Sequence, residues 1–497
     1  MLHDGEPNGR HPLNRPSHSA PRRPAHLLPP ESSSTYDHRP YVSPRRAIPD
    51  GESCSDSRCA SPEPAPRHAT WAFWLEPRFI VIAFSGVLAL CTFLYPASRF
   101  DNWSTSKYFH TPEFTLTVAA IVALCLGMTL TTHVTPAPRA GRVESDAEPH
   151  VIEGWYHALG LIVVLGYVAW AVIATARGAT LELFLAVIHR DMGAISFLKQ
   201  RLAPVAGVTT LTQVSCIVSA LGAYRYTTTR KMGKLWCFVL LTGMFRALFY
   251  AERLALMEVV IPAALVLIVT SHFMRNHRLL MNLIPVIGLA FLVIVFSVSE
   301  YFRSWIFYSQ SGDTSFVPWV LDRLLAYYTT SFNNNALFYS QVTGSPHPIY
   351  FTIPFVFDFP GFSSIFGAPS FGGLLPEDWW FSTLSWYATP EFNNSGSYLT
   401  PIADLGLVGG LTFWFILGIP LGYVYRRARE GSDVALIAYS TLFLGLLELP
   451  RFTYWTLGRF FPAAVALIFF MGHSMTHDHS PVHKTSHQRH ELRGFSR

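Results

Sequence analysis

Charge is what this sequence has least of: Asp, Glu, Lys and Arg together make up 14% of its 497 residues, against about 25% in soluble domains. With half of the residues hydrophobic, that deficit excludes an ordinary soluble globule and points to a chain whose solvent is largely lipid. Cysteine is also sparse. Cys54 and Cys59 lie in a polar N-terminal stretch, and Cys91, Cys125, Cys216 and Cys237 fall inside apolar runs, so neither a disulfide framework nor a zinc pattern is readable. A Gly-rich phosphate loop ending in GK[ST], an HExxH pair and a GxSxG elbow are all missing, which argues against ATP-driven pumping and the commonest hydrolases. A net charge of +5 gives no reason to expect nucleic acid as a partner.

What is present is a series of apolar runs, each near the roughly twenty residues that a bilayer requires. They run from Phe79 to Pro96, Phe114 to Thr132, Trp155 to Ala176, Ala203 to Ala223, Leu235 to Ala251, Leu254 to His272, Leu279 to Ser299, Ile402 to Tyr425, Val434 to Pro450, and Tyr454 to Gly472. The fold class expected is therefore an all-α polytopic membrane protein of about ten transmembrane helices. Residues 1–70, rich in Pro, Ser, Arg and His, read as a disordered cytoplasmic tail. Residues 71–299 read as a block of seven transmembrane helices, 300–401 as a large extracytoplasmic loop containing short helices, 402–472 as a block of three helices, and 473–497 as a His-rich cytoplasmic tail. Basic clusters at Arg225, Arg230, Lys231 and Lys234, at Arg275 and Arg278, and at Arg426, Arg427 and Arg429 alternate as one cytoplasmic face demands. Both termini are then inside and the large loop outside. Near 180–202, Leu181, Phe184, Leu185 and Ile188 recur at helical spacing among Arg177, Arg190, Lys199 and Arg201, which predicts an amphipathic interfacial helix.

The loop is dense in Trp, Tyr and Asn, residues suited to stacking on sugar rings and matching hydroxyls. Asn333, Asn334, Asn393 and Asn394 are its candidate glycan-binding residues. Ionisable groups inside apolar runs are the second signal, because lipid penalises them unless they face a cavity or a partner. Arg246 and Arg253 are seven residues apart and are expected on nearly one helical face, with Glu252 between them. Arg201, Arg451 and Arg459 supply further guanidinium groups, the side chain best suited to holding phosphate oxygens. A metal site is not expected. His473, His477, His479, His483, His487 and His490 lie in a tail that would not fix ligand geometry.

The segments PVAGVTTLTQ at Pro204, FRALFYAERLALMEVVIP at Phe245, YYTTSFNNNALFYSQ at Tyr327 and FNNSGSYLTPIADLGLVGGLTFWFILGIPLGYVYRR at Phe392 together resemble bacterial O-antigen polymerases of the oligosaccharide repeat-unit polymerase type, over roughly Phe79 to Gly472. The resemblance implies a glycosyltransferase of the bacterial cytoplasmic (inner) membrane that acts in polysaccharide biosynthesis. Its substrates would be oligosaccharides linked to undecaprenyl pyrophosphate, its surroundings membrane lipids, and a chain-length regulator a further partner; no cofactor is implied. Under that reading Arg246 and Arg253, with Arg201 or Arg451, would clamp the departing pyrophosphate, and Glu252, Glu391 or His347 would serve as general base. An O-antigen ligase-like transferase and a lipid-linked glycan transporter are the rival readings. The second is disfavoured by the absence of two recognisable repeated halves.

Overall fold

The computed structural model describes residues 71–133, 149–189, 193–205, 207–250, 252–271, 276–310, 315–342, 349–359 and 369–478, together with a few single residues between these stretches. All of them belong to one unit, Pro66–Arg497. His347 and the His-rich residues beyond 478 lie outside the described residues, as does the N-terminal stretch.

Every extended element among the described residues is helical. The main ones are α1 (Pro77–Leu94), α2 (Thr111–His133), α3 (Pro149–Ala176), α4 (Leu181–Ile188), α5 (Ala194–Arg201), α6 (Ser215–Thr229), α7 (Lys234–Phe249), α8 (Arg253–Thr270), α9 (Arg278–Arg303), α10 (Phe316–Val342), α11 (Pro376–Tyr387), α12 (Thr400–Arg429), α13 (Asp433–Glu448) and α14 (Phe461–Asp478). Six of these, α1, α2, α3, α8, α9 and α12, are long and apolar enough to cross a membrane. Their outward faces are apolar too: Leu279, Val286, Ile287, Leu289 and Ile294 of α9 are all exposed. A surface of this kind is stable in lipid, where each helix satisfies its own backbone.

The other four expected spans are helical but shorter or interrupted. The run from Ala203 to Ala223 breaks into a turn of helix at Val208–Leu211, a 3-10 turn at Thr212–Val214 and then α6. Helices α7 and α13 have 16 residues each, about 24 Å at 1.5 Å per residue, short of a 30 Å hydrocarbon core. The expected interfacial helix is two eight-residue helices, α4 and α5, separated at Gly193. Residues 300–401 differ most from expectation, since they contain a 27-residue helix, α10, that is buried on all sides from Thr329 to Phe338.

Two packing arrangements place these elements. Helix α2 lies directly against α12, and there Gly127 faces Phe415 and Gly418, and Gly422 faces Met128 and Thr131. A Cβ added at Gly418 would come within 2.3 Å of the Leu124 carbonyl oxygen, and one at Gly422 within 2.4 Å of that of Met128. Such small residues four apart are what let two membrane helices touch backbone to backbone. Helices α6, α7, α8 and α13 form the second group, in which Ser219 of α6 donates to the Val259 carbonyl of α8 at 2.6 Å. Helix α12 is kinked at Gly406, whose φ of 73° and ψ of 173° break the helical run. Before the kink, Asp404 accepts from both the backbone N–H (2.6 Å) and the hydroxyl (2.7 Å) of Thr352, tying α12 to the preceding segment.

Candidate functional site

Arg246 and Arg253 do not share a helical face. Helix α7 ends at Phe249, the chain turns through Tyr250 with its N–H on the Arg246 carbonyl (3.2 Å), and α8 begins afresh at Arg253. The seven-residue spacing therefore spans two helices, and the two arginines enter different ion clusters.

The first cluster is closed. Arg246, buried in the last turn of α7, donates through Nε (3.0 Å) and Nη2 (2.5 Å) to Glu252 and through Nη1 to Thr212 (3.0 Å). Arg459 reaches the other oxygen of Glu252 at 2.6 Å and clasps both oxygens of Glu258 at 2.8 and 2.9 Å. Tyr454 donates to Glu258 at 2.8 Å. Two guanidinium groups thus meet two carboxylates, and no charge is left over. Burial raises the pKa of Glu252, but Arg459 and then Arg246 outweigh it and hold the carboxyl below its usual range. That makes Glu252 a poor general base.

The second cluster is richer in cations. Glu300, fully buried near the end of α9, lies 3.2 Å from Arg253, 3.2 Å from Arg303 and 2.6 Å from Arg323 of α10. Arg323 also meets Glu391 at 2.6 Å. Arg451, just past α13, pairs with Glu448 at 2.6 Å and donates to the Tyr327 hydroxyl at 2.8 Å. Four guanidinium groups here face three carboxylates, an excess of one positive charge. Its donors are incompletely used as well: among the described residues Arg451 Nε is buried without a hydrogen-bond acceptor, and Arg253 Nη1 meets Glu300 as an ion pair at 3.2 Å without completing a hydrogen bond. Buried donors of this kind are costly unless something else accepts from them.

Tyr327 sits at the centre. Its ring lies under two cations, with the Arg451 guanidinium carbon 4.7 Å and the Arg253 carbon 5.0 Å from the ring centroid. Aromatic side chains wall the same region: Phe296 beneath Arg253 at 4.3 Å, and Trp319 and Tyr308 beside Arg323 at 5.3 and 5.6 Å.

The asparagines have a different place from the one expected. Asn333, Asn334 and Asn335 are fully buried and hold backbone. Asn333 accepts from the N–H groups of Tyr108 (2.6 Å) and Phe109 (3.1 Å) and donates to the Ser106 carbonyl (2.7 Å). Asn334 donates to the carbonyls of Phe392 (2.5 Å) and Asn394 (3.2 Å). Asn335 donates to Ser395 at 2.7 Å and accepts from Leu399 at 2.8 Å. The expected glycan contact of Asn333 and Asn334 is therefore corrected to a scaffold role: Asn333 pins Ser106 to Phe109 onto α10, and Asn334 with Asn335 pins the segment that follows Glu391. Asn393 is exposed, with its carbonyl bonded by Trp380 Nε1 at 3.0 Å. Arg201 is exposed at the end of α5 and joins neither cluster.

Glu300, Arg303 and Tyr327 were not singled out in the sequence. The signal was helical spacing: Arg323, Tyr327 and Asn334 at i, i+4 and i+11 share one face once 316–342 is read as a helix. No group of three or more His, Cys, Asp or Glu among the described residues is arranged to hold a metal ion. Comparison with family models, curated proteins and solved structures found no match.

Fold and site together define a class, an α-helical membrane protein with an arginine-rich, aromatic-walled ion cluster where α8 begins and α9 ends.

Proposed function

We propose that this protein polymerises undecaprenyl-pyrophosphate-linked oligosaccharide repeat units into a surface polysaccharide, on the outer side of the bacterial cytoplasmic membrane, by glycosyl transfer with release of undecaprenyl pyrophosphate. The observation that carries this reading is the cationic excess around Arg253, Arg303 and Arg451, with Arg451 Nε buried and lacking an acceptor among the described residues. A pyrophosphate leaving an anomeric carbon gains negative charge, and fixed guanidinium groups in a water-poor site are suited to stabilise it. Arg253 opens one apolar helix and Arg303 closes another, and under this reading both ends face the lipid-borne phosphate at the outer surface. Trp319, Tyr308 and Phe296 offer faces for sugar rings. This reading takes the chain across the membrane ten times, with α6, α7, α13 and α14 completing the crossings and both termini in the cytoplasm.

Arg246 and Arg459 then support the site from behind, and the clamp is Arg253, Arg303 and Arg451. The test is purified protein in liposomes, supplied with lipid-linked repeat units on the face bearing residues 300–401. Elongation to a ladder of longer lipid-linked chains is expected. Transfer of chains only to a different acceptor would make the protein a ligase-like transferase, and movement of units across the bilayer without elongation would make it a transporter.

A further inference from the structure

Polymerisation requires a base for the attacking sugar hydroxyl, and the carboxylates expected for that task are occupied. Both oxygens of Glu252 are held by arginine. Glu391 meets Arg323 and accepts the Tyr308 hydroxyl at 2.9 and 3.0 Å. Two phenols whose rings lie under arginines of the cluster are wired in opposite directions. Tyr308 donates its proton to a carboxylate, whereas Tyr327 accepts a hydrogen bond from Arg451 and donates to no group among the described residues.

We propose that Tyr327 takes the proton from the attacking acceptor hydroxyl, its phenolate oxygen held by Arg451 and its ring under the guanidinium groups of Arg451 and Arg253. The assignment rests on the polymerase reading and names the base for it. As the acceptor oxygen bonds to the anomeric carbon of the growing chain, the bond from that carbon to the pyrophosphate oxygen breaks. The hydroxyl proton passes to Tyr327, and the electron pair of the broken bond leaves with undecaprenyl pyrophosphate, whose charge falls among Arg253, Arg303 and Arg451. Release of the proton to water resets the phenolate.

The electrostatics agree with this role. The groups acting on Tyr327 are Arg451 just past α13, Arg253 of α8, Asn394 of the segment after α11, Arg303 of α9 and the adjacent Tyr328 of α10, and Glu448 at the end of α13 and Glu300 of α9 pair with those arginines. Burial alone would raise the phenol, but Arg451 and Arg253, helped by Asn394 and Arg303, bring it down to about 8. Tyr308 moves the other way, pushed up by burial and then by Glu391. Phenolate increases with pH through about 8, so activity should rise along that limb.

The test is Tyr327→Phe, which keeps the ring on which both arginines stack. In liposomes with lipid-linked repeat units, the expected result is a fall in kcat of ~10²-fold or more with KM unchanged, and loss of the limb near pH 8. Fluorotyrosine at 327 should restore activity and move that limb to lower pH. The ultraviolet difference titration of wild type against Tyr327→Phe should show one tyrosine ionising near that pH. An unaltered kcat and pH profile in Tyr327→Phe, with the wild type active, overturns the assignment and leaves the polymerase standing. An inert wild type overturns both, and a titration that finds no such phenol overturns the assignment whatever the activity.

Discussion

The Arg246–Glu252–Arg459–Glu258 cluster and the neighbouring Arg253–Glu300–Arg323–Arg451 cluster use the same two residue types and differ in what remains after pairing. In the first, every guanidinium is met by carboxylate or hydroxyl oxygen. In the second, a positive charge and the buried Nε of Arg451 are left over. A neutral buried cluster fixes how helices meet, because losing any member strands its partner. A cluster with an excess of one sign is incomplete until an ion of the other sign arrives. Arginine inside an apolar run is thus an ambiguous signal on its own, and the ledger of partners decides its meaning.

The harshest way to break the second cluster is Glu300→Ala, which leaves Arg253, Arg303 and Arg323 facing one another. A loss of about 3–5 kcal/mol is expected, seen as a collapsed unfolding midpoint in detergent or as failure to extract a monodisperse protein. A sharper contrast comes from two matched substitutions. Arg459→Gln should lower stability by a similar amount, about 3–5 kcal/mol, and reduce activity only in proportion to folded protein. Arg451→Gln should leave enough fold to purify but slow elongation by ~10²–10³-fold. If Arg459→Gln folds well and is inactive while Arg451→Gln is active, the two clusters have exchanged roles. Asn334→Ala comes next, at about 1–3 kcal/mol for two lost bonds to backbone; because it loosens the Glu391–Asn394 segment, activity should fall further than stability. Both are measurable on one preparation.

Much of this architecture was readable in advance and some was not, for identifiable reasons. The six long helices announce themselves because lipid demands about twenty apolar residues without interruption. Helices α7 and α13 fall short because tertiary packing against α8 supplies what length does not. Residues 316–342 look like loop because Asn, Thr and Tyr crowd them, yet Asn333 to Asn335 use their amides to hold backbone, and a polar composition then serves a stretch of helix buried on all sides. The arginines were visible as candidates. Their pairing was not, since the break at Tyr250 to Glu252 undoes the face that the Arg246–Arg253 spacing suggests, and Glu300 lies 47 positions from Arg253 along the chain. Tyr327 carried no signal as an isolated tyrosine and gained one only from two cations arriving from distant segments.

The smallest expected effect bears on the same contrast. Tyr308→Phe removes a half-exposed hydrogen bond to Glu391, so stability should drop by only about 0.5–1.5 kcal/mol. Its ring stays beside Arg323, and the Arg323–Glu391 pair at 2.6 Å keeps the carboxylate from becoming a stranded charge. The pH–rate profile should overlay that of the wild type, because the phenol that titrates in the working range is held by arginines and Tyr308 is held by a carboxylate. A displaced limb in Tyr308→Phe would mean that the proton travels through Tyr308 and Glu391. The division of labour within the cationic cluster would then have to be redrawn around Arg323 in place of Arg451.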